Sequence, residues 1–269
     1  MAGKAKPISF SSLQLHSCSI DEYCEFLCRS RLNGFWWYLL PSPYLGNYSR
    51  PFKNEDGCWY FWVKPGFCWP ADFTDADWTK PPMRKAILGY QRPACESSCN
   101  SSFVFRMIPN LHEYSYQTLD SKRRNIVRRA SEDCIISTCT EYDRECFEEC
   151  LRIWNEHVRR TGWKKELQRE FFHESWNEMI ECPGTTIMLA RNRASGRCLA
   201  WLMGKILGDL AYIDTIASGK EGRDCRPNDS LIYTYLMNVK EHENVKSVHY
   251  GLASSIVSLE KFKESLGFQ

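Results

Sequence analysis

Fourteen cysteines are the largest store of reactive side chains in this chain, and their spacing decides what they can do. They stand at positions 18, 24, 28, 58, 68, 95, 99, 134, 139, 146, 150, 182, 198 and 225. That gives three C-x3-C pairs and no C-x2-C pair of the kind that builds zinc sites or thioredoxin-like centres, so no metal site is expected. A spacing of four places Cys146 and Cys150, like Cys24 and Cys28, on one helix face as small apolar side chains. Cys95 and Cys99 differ, because RPACESSCNSS is polar and aperiodic, and a local disulfide clip stays open there. No cysteine is matched with a compelling histidine, so none is assigned as a nucleophile. The opening MAGKAKPISFSSLQLHSC lacks the apolar core of a secretory signal, and no segment approaches about 18 consecutive apolar residues. The expectation is a reduced, cytoplasmic protein with no membrane span.

The second chemical feature is charge. Lys and Arg number 35 against 33 Asp and Glu, a formal net charge of +2, which removes a globally basic surface as an argument for nucleic-acid binding. Charge is concentrated locally in LDSKRRNIVRRA, where Lys122, Arg123, Arg124, Arg128 and Arg129 could meet phosphates or form a solvated helix face.

The elements that must position these residues change character along the 269 residues. Asp21 to Arg31 has helical spacing, with an apolar stripe of Ile20, Tyr23, Cys24 and Leu27 after a polar Ser19 start. Residues 33–90 are rich in aromatics, Gly and Pro, with strand-like pieces GFWWYLL and CWYFWV. Trp36, Trp37, Trp59, Trp62, Trp69 and Trp78 could line a groove or fill a core. SSFVFRMI reads as a strand, and Asp120 as the start of a helix through the basic run, followed by a short strand. Helices are expected from Glu141 to about Thr161 and from Lys164 to Met179. The period then switches to two: TTIMLARN, RCLAWLMGKI and LAYIDTIAS form an antiparallel meander. After SGKEGRDCRPNDS come a helix in SLIYTYLMNVKEHEN, the strand VKSVHYG and a helix through SLEKFKESLG.

Three antiparallel strands, a loop and helix, another strand and a terminal helix resemble the acyltransferase fold of the GNAT superfamily. LDSKRRNIVRRASEDCIIS, RPNDSLIYTYLMNVKEHENVKSVHYG and VSLEKFKESLGF together resemble landmarks of its FemAB-like branch, whose members contain two related halves. The likeness covers roughly residues 110–269. The resemblance implies an α+β, GNAT-like protein in tandem arrangement: a divergent first half over 1–118, a basic linker helix and strand over 119–139, and a clearer acyltransferase half over 140–269.

It also implies an N-acyltransferase or aminoacyltransferase that moves an activated acyl group to an amine-bearing acceptor in a cleft between the halves. The donor would be acyl-CoA or another thioester, or aminoacyl-tRNA held through the basic helix, with no tightly bound cofactor. Lys263, in the family's terminal Phe-Lys segment, carries over as a donor contact. Direct attack needs a neutral amine, a held carbonyl and a stabilised oxyanion. Asp214, late in the third meander strand, could orient the amine or accept its proton. Tyr250 could donate a hydrogen bond and His249 act as a base, but they are adjacent in one strand and point to opposite faces. CoA-using relatives commonly carry R/Q-x-x-G-x-G/A before the helix; GRDCRPNDSLI lacks those glycines, leaving Arg223, Arg226, Arg123 and Arg124 as donor-binding candidates. The competing reading is a noncatalytic ligand-binding or interaction protein on the same scaffold.

Overall fold

The computed structural model describes residues 12–29, 104–162 and 165–269, together with the backbone of four strand segments between the first two stretches. The proposed Cys95/Cys99 clip and the six-tryptophan groove lie outside the described residues, as do the side chains of Cys24 and Cys28.

Helix α1 spans Ile20–Arg29. Ser19 and Glu22 close its start reciprocally: Glu22 N donates to Ser19 Oγ, and Ser19 N to Glu22 Oε2 at 2.8 Å, a capping box. Strands β1 (Tyr38–Leu39), β2 (Tyr48–Lys53), β3 (Trp59–Val63) and β4 (Gly89–Gln91) form a sheet in that order, antiparallel except for the parallel β3–β4 pair.

The second sheet is built from β5 (Phe105–Ile108), β6 (Cys134–Cys139), β7 (Thr185–Asn192), β8 (Cys198–Leu207), β9 (Leu210–Ser218) and β10 (Ser247–Leu252), in the order β5-β10-β9-β8-β7-β6. It thus takes β5 and β6 from outside residues 140–269. The meander β7-β8-β9 is antiparallel, whereas β10 runs parallel to β9. Gly208 sets the β8–β9 register: at φ 62° it occupies the first position of a two-residue turn, and Leu207 pairs with Leu210.

Helices cover both faces. On one, α2 (Ser121–Asp133) and α5 (Pro227–Val239) pack on Met188, Ala200, Leu202, Ile206, Ala211 and Ile213. On the other, α1, α3 (Arg144–Thr161) and α4 (Arg169–Glu181) enclose Ile187, Leu189, Trp201, Met203 and Leu207. Helix α6 (Val257–Ser265) closes the described chain near β5 and β10. Burial on both faces explains why β8 reads as a near-continuous apolar run and not as an alternation.

Boundaries shift for local reasons. The Asp120 carboxylate accepts from Arg123 N as expected, capping α2. Helix α3 starts at Arg144 and not at Glu141, because the Asp143 side chain accepts from Cys146 N at 2.6 Å. Helix α5 starts earlier than Ser230, with Pro227 in its first position, where a missing N–H costs nothing.

Candidate active site

The parallel ladder between β9 and β10 is short. Ser247, Val248 and His249 pair with Leu210, Ala211 and Tyr212, and there the pairing stops. Both strands break pattern at this level. In β9 the register with β8 jumps from Gly204↔Ile213 to Met203↔Thr215, leaving Asp214 as an extra residue in a bulge. In β10 the register with β5 is irregular between His249 and Leu252, and Gly251 takes φ 66°. Past Tyr212 and His249 the two strands therefore part, and the edge of β9 from Ile213 to Ser218 has no strand partner on the β10 side among the described residues.

Asp214 stands at the fork. Its Oδ2 accepts from Lys205 Nζ at 2.5 Å, and the Tyr212 hydroxyl is also hydrogen-bonded to its carboxylate. Lys205 comes from β8, opposite Tyr212, and is only 4% exposed against 24% for the Asp214 side chain. Its ammonium lies 5.5 Å from the centre of the Tyr23 ring on α1 and 5.9 Å from that of Tyr212. Burial first, and then the Asp214 carboxylate, push the Tyr212 phenol far above its ordinary range, so it stays a donor. The backbone beneath is pinned from the other face. Tyr235 of α5 donates its hydroxyl to the carbonyls of Lys205 at 2.9 Å and Tyr212 at 3.3 Å. Gly204 makes room for that ring: a Cβ there would lie 2.3 Å from Tyr235 Cε2.

His249 and Tyr250 diverge as the strand period requires. His249 is fully buried, stacked on Tyr212 at 4.3 Å between centroids, with the Phe105 ring edge-on at 5.4 Å. Tyr250 packs against Phe268 at 5.6 Å. Burial pushes its phenol up as well, and it is close enough to contribute to the rise at Tyr212. The fork thus brings Asp214, Tyr212 and Tyr250 within electrostatic reach of one another.

Lys263 stands beside Tyr250, its ammonium 5.1 Å from the ring centre, and donates to the Leu252 carbonyl at 2.8 Å. It is 4% exposed, and burial lowers its pKa despite Glu260 at 3.7 Å. Arg106 of β5 holds Glu260 at 2.5 Å.

The arginines divide into two groups. Arg123 is drawn inward: its guanidinium pairs with Asp229 of α5, bonds Ser265 Oγ and covers the Phe262 ring at 5.3 Å. Burial raises the Asp229 carboxyl even against this partner. Arg124 donates to the Leu119 carbonyl at 2.5 Å. The two therefore join α2 to its neighbours. Lys122, Arg128 and Arg129 are exposed, with Arg128 paired to Glu132. Arg223 and Arg226 are exposed in the segment before α5, and Arg226 takes the left-handed φ of 49° just ahead of the helix. Among the described residues no group of three or more His, Cys, Asp and Glu side chains is placed to hold a metal.

Lys205, Tyr212 and Tyr235 escaped the sequence reading, and Tyr23 entered it only as part of an apolar stripe. One signal existed for Lys205: a lone lysine inside CLAWLMGKIL is a buried charge that must have a partner.

No protein-family model and no curated protein matches the sequence. Solved structures do match by shape. The structure of L-PGS from Bacillus licheniformis superposes with a TM-score of 0.59 at 15% identity, covering 94% of this chain and 85% of that one. The C-terminal domain of a putative lysylphosphatidylglycerol synthetase from Agrobacterium fabrum gives 0.58 at 10% identity, covering 93% and 90%. FemX gives 0.51 at 13% identity over 61% of this chain, which spans 58% of that structure. The chain therefore shares the fold of these solved structures, with the meander and the forked parallel pair in its second sheet.

Proposed function

We propose that the protein is an N-acyltransferase or aminoacyltransferase whose reaction takes place where β9 and β10 part. The observation that carries this reading is the coincidence of the Asp214 bulge with the end of the β9–β10 ladder, which puts a partly exposed carboxylate at the level of the sheet where the two strands stop pairing. In the reaction the acceptor nitrogen attacks the donor carbonyl carbon. The carbon–sulfur or carbon–oxygen bond to the carrier breaks, the nitrogen loses a proton, and the carrier leaves as thiol or hydroxyl. Backbone amides on the β9 edge, which has no strand partner on that side among the described residues, suit the developing oxyanion. Asp214 receives two internal donors, and a carboxylate has about four acceptor positions, so it can still take a hydrogen bond from an incoming amine. Its role is to orient that amine. Tyr250, kept protonated by burial, is the donor available to the leaving group. His249 acts through the Tyr212 ring it stacks on.

The donor is acyl-CoA or another thioester, or aminoacyl-tRNA. For the thioester, Arg223 and Arg226 beside the α5 start offer charge for a pyrophosphate. For tRNA, the outward charges of α2 are Lys122, Arg128 and Arg129. Lys263 remains a donor-contact candidate only if its Leu252 bond is exchanged for one to the donor. The proposed halves are 1–118 and 140–269 joined by 119–139, and the compartment is the cytoplasm. Among the described residues, no helix is long and apolar enough to cross a membrane.

The test is ligand analysis and intact-mass measurement of gently purified protein, followed by transfer assays with acyl-CoA thioesters and charged tRNAs against a panel of amines. Transfer that falls at least tenfold in Asp214→Asn supports the reading; no transfer from either donor class opposes it. Lys263 and Arg123 are both engaged within the protein, and that favours the second reading, a noncatalytic ligand-binding protein on this scaffold. Ligand retained without transfer would decide for it.

A further inference from the structure

Four thiols form a row on the face of the sheet covered by α3. Cys139 ends β6 and is half-buried, Cys146 lies in the first turn of α3, Cys150 one turn further on, and Cys198 begins β8. Cys139 Sγ and Cys146 Sγ are 3.5 Å apart, and Cys150 is near enough to both Cys146 and Cys198 to interact with them electrostatically. All four are reduced. Spacing in the sequence pointed only to the Cys146/Cys150 face; the approach of Cys139 arises because β6 runs straight into the loop that Asp143 turns into α3.

We propose that Cys139 and Cys146 are a thiol oxidation site that closes to a disulfide on exposure to hydroperoxide. The sulfurs need to approach by about 1.5 Å to reach the ordinary bond length of about 2.0 Å, a shift within reach of side-chain rotation at a strand end. One sulfur takes an oxygen from the peroxide and becomes S–OH as the remaining peroxide oxygen leaves as water or alcohol. The second thiol attacks that sulfur and expels its hydroxyl as water. The two electrons lost by the thiols reduce the peroxide.

Electrostatics favour the pair over its neighbours. Cys139 is raised by its hydrogen bond with Cys146 and by burial, while Cys146 is lowered first by that same bond, then by Cys150 and by the Arg191 guanidinium. Thiolate character at Cys146 thus sits next to the most exposed sulfur of the row. Cys150, deeper in the core, is raised by burial and stays a thiol. Oxidation would tie the end of β6 to the start of α3, the helix whose far end holds Ser218 and Lys220 at the end of β9 through Arg160 and Glu156. A site of this kind in a reducing compartment would be a reversible one.

The test treats the folded, full-length protein with hydrogen peroxide, blocks remaining thiols with N-ethylmaleimide and maps tryptic peptides. Trypsin cuts after Arg144, so residues 130–144, with Cys134 and Cys139, separate from residues 145–152, with Cys146 and Cys150, unless a disulfide joins them. The expected result is a joined peptide pair that a phosphine reductant separates, that Cys139→Ser loses and that Cys134→Ser and Cys150→Ser keep. Cys139 and Cys146 both fully alkylated in the treated wild-type protein, or a joined pair that survives Cys139→Ser, would overturn the proposal.

Discussion

Lys205 Nζ stands 2.5 Å from Asp214 Oδ2 while Asp214 alone of the two reaches solvent. The inequality gives the pair an asymmetric response to mutation. Asp214→Ala strands a buried ammonium, and breaking a buried pair in this way costs about 3–5 kcal/mol. Lys205→Met leaves a carboxylate that water and Tyr212 can still serve, so the loss should be smaller, about 1–2 kcal/mol. The double variant Lys205→Met/Asp214→Leu should recover most of the deficit, since well-packed apolar replacements of a buried pair are often neutral. Denaturant midpoints of the four proteins at matched slopes check this; equal losses in the two single variants would oppose it.

The fork depends on backbone that Tyr235 pins from the opposite face. Gly204→Ala drives a Cβ into a fully buried ring, and overpacking of this kind costs about 1–3 kcal/mol. Tyr235→Phe keeps the ring and removes the donor to the Lys205 and Tyr212 carbonyls, for about 1–2 kcal/mol. Combining Tyr235→Phe with Gly204→Ala should add nearly the two separate losses, because removing a hydroxyl does not relieve a clash with ring carbons. Thermal unfolding of the single and double variants measures that sum; relief in the double variant would show that the contact is with the hydroxyl alone.

The meander, the Asp120 cap and the terminal strand and helix were legible because each rests on local signals: period two, a capping side chain, a turn glycine. Asp214 was legible too, as a carboxylate late in the third strand. Its partner was within reach of the same reasoning. Counting back from the Gly208 turn pairs Lys205 with Tyr212 and puts Asp214 on that same face, two residues on. The bulge was not readable, since no glycine or proline marks it. Arg123 failed for a different reason: its partners Asp229 and Ser265 are 106 and 142 residues away, and local pattern cannot distinguish a buried arginine from a solvated one. The early aromatic stretch offered period-two pieces but no residue whose chemistry demanded a partner.

That inward Arg123 changes how the tRNA reading must be tested. Arg123→Ala leaves the Asp229 carboxylate buried without its cation, so it should destabilise by about 3–5 kcal/mol and weaken any ligand binding indirectly. Lys122→Ala and Arg129→Ala remove exposed charges and should change stability by no more than about 0.5 kcal/mol. If α2 contacts an RNA backbone, those two variants flatten the salt dependence of tRNA binding by about one contact each, with unfolding unchanged. A salt slope unmoved by both would remove α2 as the contact.

Buried phenols and thiols set the alkaline limit of stability. Burial pushes Tyr233 up to about 12 and carries Tyr114, Tyr212, Tyr235 and Tyr250 higher still. Cys18 and Cys134 are pushed up to about 12 in the same way. A folded-state value above the unfolded one means that the contribution is complete below the unfolded pKa. It is lost as pH rises, because the unfolded chain sheds its protons first. The decline should therefore begin near pH 9 with the thiols and steepen above about pH 10, where each lagging phenol adds about 1.4 kcal/mol per pH unit. Tyr250→Phe removes one such group and should make the alkaline fall shallower while leaving the neutral-pH slope unchanged. Urea titrations across the alkaline range, with phenolate absorbance followed in parallel, read both effects; an alkaline slope identical in wild type and Tyr250→Phe would mean that Tyr250 ionises in the folded protein as freely as in the unfolded one.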